Sequence, residues 1–196
     1  MKLVVYDKIF QFRAYDLSYG QETYTNVFAN KNNKTLVETL LHKKYQSLNK
    51  DVNRSYKTHL NLPLGEFLLD LKLKGDDFYK KFLNKNGDKT YSIFTLDNTT
   101  ILNKKGIYLY KTGDAILYIG RCRDSLKKRI NIGYGKITPK NCYKDGQSTN
   151  CHLNFRITSS EQKIEFWFCN MTDLDEISTI ERQLIKKYQP PWNIKK

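Results

Sequence analysis

The chain has 196 residues, 39% hydrophobic and 13% aromatic, with a formal net charge of +14. That is enough apolar material to fill the core of one large domain or two small ones, and no apolar run approaches the roughly 18 residues of a membrane span. The charge points to an anionic partner, nucleic acid ahead of an anionic membrane surface, with a solvated Lys/Asn-rich surface as the plain alternative.

Residues 1–100 carry no motif that can be named. Lys2 to Phe12 alternates loosely and is rich in Val, Ile and Phe, which predicts one or two strands. Thr35 to Leu48 reads as a helix with a partial leucine stripe, and Leu64–Leu73 and Asp76–Leu83 as two more, broken at Gly75. Tyr91–Leu96 is another strand. There is no repeat or long linker, so this half is expected to pack against the second. Its role is left between DNA recognition and dimerisation.

The second half, 101–196, reads as a domain of its own and holds the denser charge, net +9 against +5 for residues 1–100. Gly106-Ile107-Tyr108 and Tyr118-Ile119-Gly120 are separated by turn residues at Thr112-Gly113-Asp114, which predicts a β-hairpin. A hairpin places Tyr108 and Tyr118 as cross-strand neighbours, with two phenols at one spot. Asp124 is the predicted N-cap of a helix carrying Lys127, Lys128 and Arg129 that ends at Gly133 and Gly135. Lys136 to His152 reads as an irregular surface loop. Lys163 to Cys169 is a strand. Thr172 or Asp173 caps a last helix that runs to about Tyr188, where Pro190-Pro191 stop it. The expected fold is α+β, a small three-stranded sheet flanked by helices, with the mixed α/β N-terminal half packed against it.

Glu181 stands out on that last helix. At about 100° per residue, Leu174, Ile177, Ile180, Leu184, Ile185 and Tyr188 share one face, and Glu181 projects near its middle. A carboxylate in an apolar stripe is costly unless it is paired or holds a metal. From the helix alone the two readings are equal: a buried ion pair, with Arg129 as the candidate partner, or a metal ligand.

Together these residues resemble the GIY-YIG nuclease family. The pattern continues past the hairpin with Arg129 on the following helix, Glu181 on a later helix and Asn193 in Gln-Pro-Pro-Trp-Asn, and it covers about residues 104–193. The resemblance implies a phosphodiester hydrolase. Glu181 would then be the ligand of a hard divalent ion, Mg²⁺ with Mn²⁺ able to substitute, because such an ion keeps its waters and takes substrate oxygens beside a single carboxylate. Arg129 would hold the scissile phosphate through two parallel hydrogen bonds. Tyr108 would orient or deprotonate the attacking water with Tyr118 beside it, its phenolate favoured by nearby cations. Asn193 would support the site by hydrogen bonds, against a plain role as a C-terminal tie. Many family members carry a histidine one turn after the arginine. None stands there here, so Tyr134 or Lys136 takes its place, with His152 the one histidine of this half.

Arg121, Arg123, Lys127, Lys128, Lys136, Lys140 and Lys144 form a run suited to phosphate contacts, and the Asn and Gln groups around Lys140 suit base edges in a major groove. The partner implied is double-stranded DNA. Cys122, Cys142, Cys151 and Cys169 fit no common zinc spacing and read as reduced cytosolic thiols behind no visible signal peptide, so a cytoplasmic location is expected. A nuclease module joined to a compact first half resembles a restriction-type enzyme, which would act as a homodimer on a palindrome. The alternative is a nucleic-acid-binding protein that keeps the fold without the chemistry.

Overall fold

The computed structural model describes residues 1–194. The chain divides into two compact units, one from Met1–Glu22, Ser92–Lys136 and Arg156 onward, the other from Thr23–Tyr91 and Ile137–Phe155. The partition follows a different line from a single cut at residue 100, because the chain crosses between the units at several places. Among the described residues no helix is long and apolar enough to cross a membrane.

In the first unit, β1 (Lys2–Val5) and β2 (Lys8–Gln11) form a hairpin. Its turn residues Tyr6 and Asp7 both have positive φ, which matches the twist of a two-residue hairpin loop. A short β3 (Arg13–Tyr15) follows, and β4 (Leu17–Tyr24) pairs with β5 (Tyr91–Leu96). The principal sheet is antiparallel, with β3 and then β8 (Glu165–Asn170), β6 (Gly106–Thr112) and β7 (Ala115–Cys122) in spatial order. The three predicted strands are thus present, but the sheet has four: β3 adds to β8 at the edge away from β7. Three residues are too few for a period-2 pattern to announce them.

The sheet has two unlike faces. On one, Ile107, Leu109, Ile119 and Cys169 pack with Leu3, Val5, Phe10 and Phe12 of the N-terminal segment and with Ile177, Ile180 and Leu184 of the last helix, Leu174–Tyr188. Each such side chain is worth roughly 1.5–3 kcal/mol when fully buried. Asp173 caps that helix, its Oδ1 accepting from the amides of Asp175 at 2.8 Å and Glu176 at 3.0 Å. The other face is aromatic, with Tyr108, Tyr110 and Phe166 buried together.

The helix after the hairpin is a π-helix, Lys127–Tyr134, and the amide of Gly135 donates to the carbonyl of Ile130, five residues back, at 2.6 Å. Ser125, rather than Asp124, accepts at its start, from the amide of Lys128 at 3.3 Å. Asp124 instead pairs with the ammonium of Lys128 at 2.7 Å. The helix is tied to β5: Asn131 accepts from the amide of Leu96 at 2.8 Å and donates to its carbonyl at 3.2 Å, and the carbonyl of Gly135 accepts from the amide of Phe94 at 3.0 Å.

The second unit has its own core, built on Phe28, Leu64, Phe67, Leu68, Tyr79, Phe82 and Tyr91, with Cys142, Tyr143 and Cys151 buried among them. The predicted helix Leu64–Leu73 is present, Asp77–Phe82 is a 3₁₀-helix, and the long helix expected over 35–48 is a single turn, Leu36–Leu40, followed by Gln46–Leu48 and Asn49–Ser55. The stretch expected as a surface loop holds a short helix at Pro139–Cys142 and a longer one at Ser148–Thr158. Its polar residues misled the reading. Asn141 caps its own segment, accepting from the amide and hydroxyl of Thr138 at 2.9 and 2.8 Å, and Asn150 is buried.

Candidate active site

The two glycines of the hairpin motif are steric requirements. Gly106 has φ 148, and a Cβ there would collide with the carbonyl of Cys169 on β8. At Gly120 a Cβ would lie 2.5 Å from Cζ of Tyr108 and 2.7 Å from Cε1 of Tyr118. The register explains this: Tyr108 pairs with Gly120, and Tyr110 pairs with Tyr118. Tyr108 and Tyr118 are therefore diagonal neighbours on one face rather than directly opposed, with ring centroids 6.2 Å apart. The ring of Tyr108 lies across the space that Gly120 leaves.

Tyr134 joins them from the π-helix. Its hydroxyl is 2.8 Å from that of Tyr108, and Tyr118 and Arg129 also hydrogen-bond to it. Arg129 and Tyr134 are five residues apart, the spacing that a π turn brings onto one side. Tyr108 is 1% exposed and Tyr134 2%, whereas Tyr118 is half-buried and Arg129 exposed. Burial pushes the phenol of Tyr108 well above its usual range, the neighbouring phenols Tyr134 and Tyr118 add to it, and Arg129 opposes. Tyr118 is also raised, again by burial first. Desolvation of a buried anion thus works against the phenolate of Tyr108, and it outweighs the arginine. Burial works against the charged guanidinium of Arg129, and Tyr134, Tyr108 and Cys122 together tip the balance the other way.

Glu181 faces the same edge from the last helix. Its side chain is 15% exposed, and its Oε2 accepts from Nη1 of Arg121 at 2.8 Å. The backbone amide of Arg121 donates to it as well. The ion-pair partner is thus Arg121 and not Arg129, which lies close enough to act on Glu181 only through its charge. Burial raises the Glu181 carboxyl, and the two arginines pull it down by less. Three alternate residues along the outer edge of β7 are answered in turn: the carbonyl of Leu117 by the amide of Trp192 at 2.9 Å, Ile119 by Asn193, and Arg121 by Glu181. The phenols on one face and the carboxylate on the other meet around this strand.

Among the described residues no group of three or more His, Cys, Asp or Glu side chains stands ready to hold a metal. A lone carboxylate does not suit an ion that needs a protein cage. It suits Mg²⁺, which keeps several waters, and a carboxylate has acceptor positions beyond those Arg121 takes.

The structure brings together Tyr108, Tyr118, Arg129, Tyr134 and Glu181, with Asn193 one strand residue away through Ile119. Arg123, Lys127, Lys128 and Lys136 are exposed on the same unit. Lys140, Lys144 and His152 belong to the other unit, so the basic run is not one continuous surface of the hairpin unit. Two roles have no local signal in the sequence: Asn131 as a tie to β5, and Arg121 as the partner of Glu181 where its place in the basic run suggests a phosphate contact.

No family model matches the chain, and no curated protein matches it. Two solved structures overlap it in part. Both are the GIY-YIG N-terminal endonuclease domain of UvrC from Thermotoga maritima, as two tyrosine-to-phenylalanine point mutants bound to the catalytic divalent cation. They are 24% and 25% identical over 49% of this chain and 92% of theirs, with a TM-score of 0.34 in each case. An overlap this loose leaves the site to be judged on its own residues.

Proposed function

We propose that this chain is a metal-dependent endonuclease of the GIY-YIG type that hydrolyses phosphodiester bonds in double-stranded DNA. The observation that supports this reading best is the convergence on β7 of three hydrogen-bonded phenols, a charged guanidinium and a half-buried carboxylate. Ordinary core packing does not call for that set. Each member has a task in attack by water on phosphorus and departure of the 3′ oxygen.

Arg129, exposed beside the phenols, grips the scissile phosphate and neutralises its growing charge. Tyr118 is the phenol that solvent reaches, so it contacts the attacking water. Once ionised, Tyr118 takes one proton from that water and returns to the neutral phenol, and Tyr134 and Tyr108, hydrogen-bonded behind it, hold its oxygen in place. Glu181 holds the divalent cation. When bound, that ion supplies charge neutralisation at the leaving and nonbridging oxygens. Asn193 fixes the strand that carries Tyr118 and Gly120.

The finer reading is a restriction-type enzyme, supported by a second compact unit besides the hairpin unit; such an enzyme would act as a homodimer on a palindrome. A second reading, a nucleic-acid-binding protein without cleavage, draws on one observation: Glu181 is already engaged by Arg121 at 2.8 Å.

The deciding experiment is incubation of supercoiled and linear plasmid with the chain in Mg²⁺, Mn²⁺ or EDTA, beside Glu181→Gln. Discrete metal-dependent fragments, lost in the variant, are expected. Salt-sensitive binding with no cutting in either metal overturns the enzyme in favour of the binding protein.

A further inference from the structure

The second unit contains an open cavity of about 620 Å³ that the hairpin chemistry does not use. Three lysines line it, Lys31, Lys34 and Lys140, together with His42, and Asp145 is the one carboxylate among the residues lining it. Two features show that Lys31 is built in rather than draped over the surface. Its side chain is only 12% exposed, and its ammonium sits 4.0 Å above the ring of Tyr143 and 4.0 Å from Asp145. The segment that carries it is pinned from two sides. The hydroxyl of Tyr143 donates to the carbonyl of Phe28 at 2.9 Å. Gly65 donates its amide to the carbonyl of Lys31 at 3.0 Å, and a Cβ at Gly65 would collide with the carbonyl of Ala29 and lie 2.9 Å from the amide of Lys31.

The charges in this cavity do not balance. Asp145, held by the hydroxyl of Tyr45 at 2.5 Å, supplies one negative charge against three ammonium groups. Glu38 lies near Lys34, but its carboxylate closes the capping box of Thr35, at 2.7 Å from the amide. Burial pulls Lys31 down, and Lys34 and Lys140 add to that against Asp145. A half-buried cation facing two like charges is held at a cost, and an incoming anion would relieve it. A tetrahedral, multiply charged anion suits three ammonium groups, and Thr39 and Thr138 line the cavity as further polar residues. The volume lies in the range of ligand sites.

We propose that this cavity is a phosphate-binding site that takes a backbone phosphate of the nucleic acid on which the chain acts. The phosphate chemistry stands on Lys31, Lys34 and Lys140; the choice of nucleic acid as its source rests on the endonuclease reading. The site would give the second unit a grip on the strand that is independent of sequence.

The test follows the ring signals of His42 by NMR in full-length Glu181→Gln protein with EDTA, so that no cutting intervenes and the result does not depend on activity. The probes are a 12-nucleotide single strand, a 12-base-pair duplex, thymidine 5′-monophosphate and inorganic phosphate. Saturable shifts of His42 with an oligonucleotide are expected. The same titration of Lys34→Ala/Lys140→Ala, two exposed side chains whose loss leaves the core intact, should weaken binding by at least about tenfold, as the loss of two charge-assisted contacts requires. Shifts with thymidine monophosphate or inorganic phosphate but not with either oligonucleotide would overturn the nucleic-acid assignment. Unmoved His42 signals with every probe, or shifts unchanged in the double variant, would overturn the site. Cleavage of plasmid by the wild type in any of these cases would leave the endonuclease reading standing.

Discussion

The side chain of Asn193 closes a two-bond ring with the backbone of Ile119: its Oδ1 accepts from the amide at 3.0 Å and its Nδ2 donates to the carbonyl at 2.8 Å. The amide side chain thus acts as one more rung on the edge of β7, and Asn131 does the same for Leu96. Both halves of the ring are buried. Asn193→Ala should therefore cost about 1–3 kcal/mol for each backbone group left unpaired in the interior, seen as a lower midpoint in urea unfolding. Asn193→Asp should cost more, since its carboxylate cannot donate to the carbonyl. A variant as stable as the wild type would show that water replaces the ring at no loss.

Gly120→Ala sets the hairpin motif against its own chemistry. The added methyl must displace Tyr108 or Tyr118, because both rings lie within 2.7 Å of it. Cleavage should fall by at least about a hundredfold, the low end of what a misplaced proton-transfer group costs. Tyr108→Phe should not rescue it, since the ring carbon stays in the way. Retention of near-wild-type turnover would mean that the phenols are not placed for catalysis.

Tyr110 lies in the same aromatic layer and is fully buried, yet its hydroxyl has no hydrogen-bond partner among the described residues. Tyr110→Phe should be neutral or stabilising by up to about 1 kcal/mol, with cleavage retained. Tyr118→Phe should keep stability and lose turnover, whereas Tyr134→Phe should lose turnover and also cost about 1–3 kcal/mol, because it takes this partner from the buried hydroxyl of Tyr108. Paired thermal melts and plasmid assays separate the two kinds of tyrosine.

The pH dependence follows from the direction of the shifts. Burial raises Tyr118 above its usual value near 10. A base that must ionise from there gains about tenfold in active fraction for each pH unit below its pKa, so the cleavage rate should climb from pH 7 to 9 without a plateau. Tyr134→His brings in a group that titrates near 6.5 and should flatten that climb. A wild-type rate that peaks at neutrality rules out the phenol base. Glu181 gives the acid side. Its carboxyl is raised by burial, so protonation displaces the metal at a higher pH than for an exposed glutamate. Activity in limiting Mg²⁺ should fall early on acidification and recover with more metal.

Arg121→Ala decides between the two claims on Glu181. Loss of the guanidinium at 2.8 Å frees an oxygen and removes a positive charge beside the cation. Less Mg²⁺ should then be needed for half-maximal cleavage. A rise in the requirement would place Arg121 in phosphate binding instead, as its position in the basic run had suggested.

Much of the site was legible because it is local. The hairpin, its two glycines and the apolar face around Glu181 each occupy a few consecutive turns or strand residues, where periodicity and turn chemistry speak directly. What was illegible depends on contacts distant in sequence. Arg121 and Glu181 are 60 residues apart, and several basic residues surround both. The helix Ser148–Thr158 mixes Ser, Thr, Asn and Cys, which favour loops, and its place is set by packing: Cys151 belongs to the second unit's core. The boundaries of the two units run elsewhere than a cut at residue 100 for the same reason, since each is assembled from separated stretches.

The wide turn of the π-helix has a consequence for how such a site can change over generations. An α-helix would set Gly133, four residues after Arg129, nearest the arginine's line, and Tyr134 would swing aside. With hydrogen bonds that reach five residues back, the phenol falls into place. Which residue answers the arginine is therefore governed by the length of this segment as well as by its letters. A single deletion or insertion between 130 and 133 would bring Gly135 or Gly133 to the place five residues after the arginine and remove the phenol from it, while every side chain kept its identity.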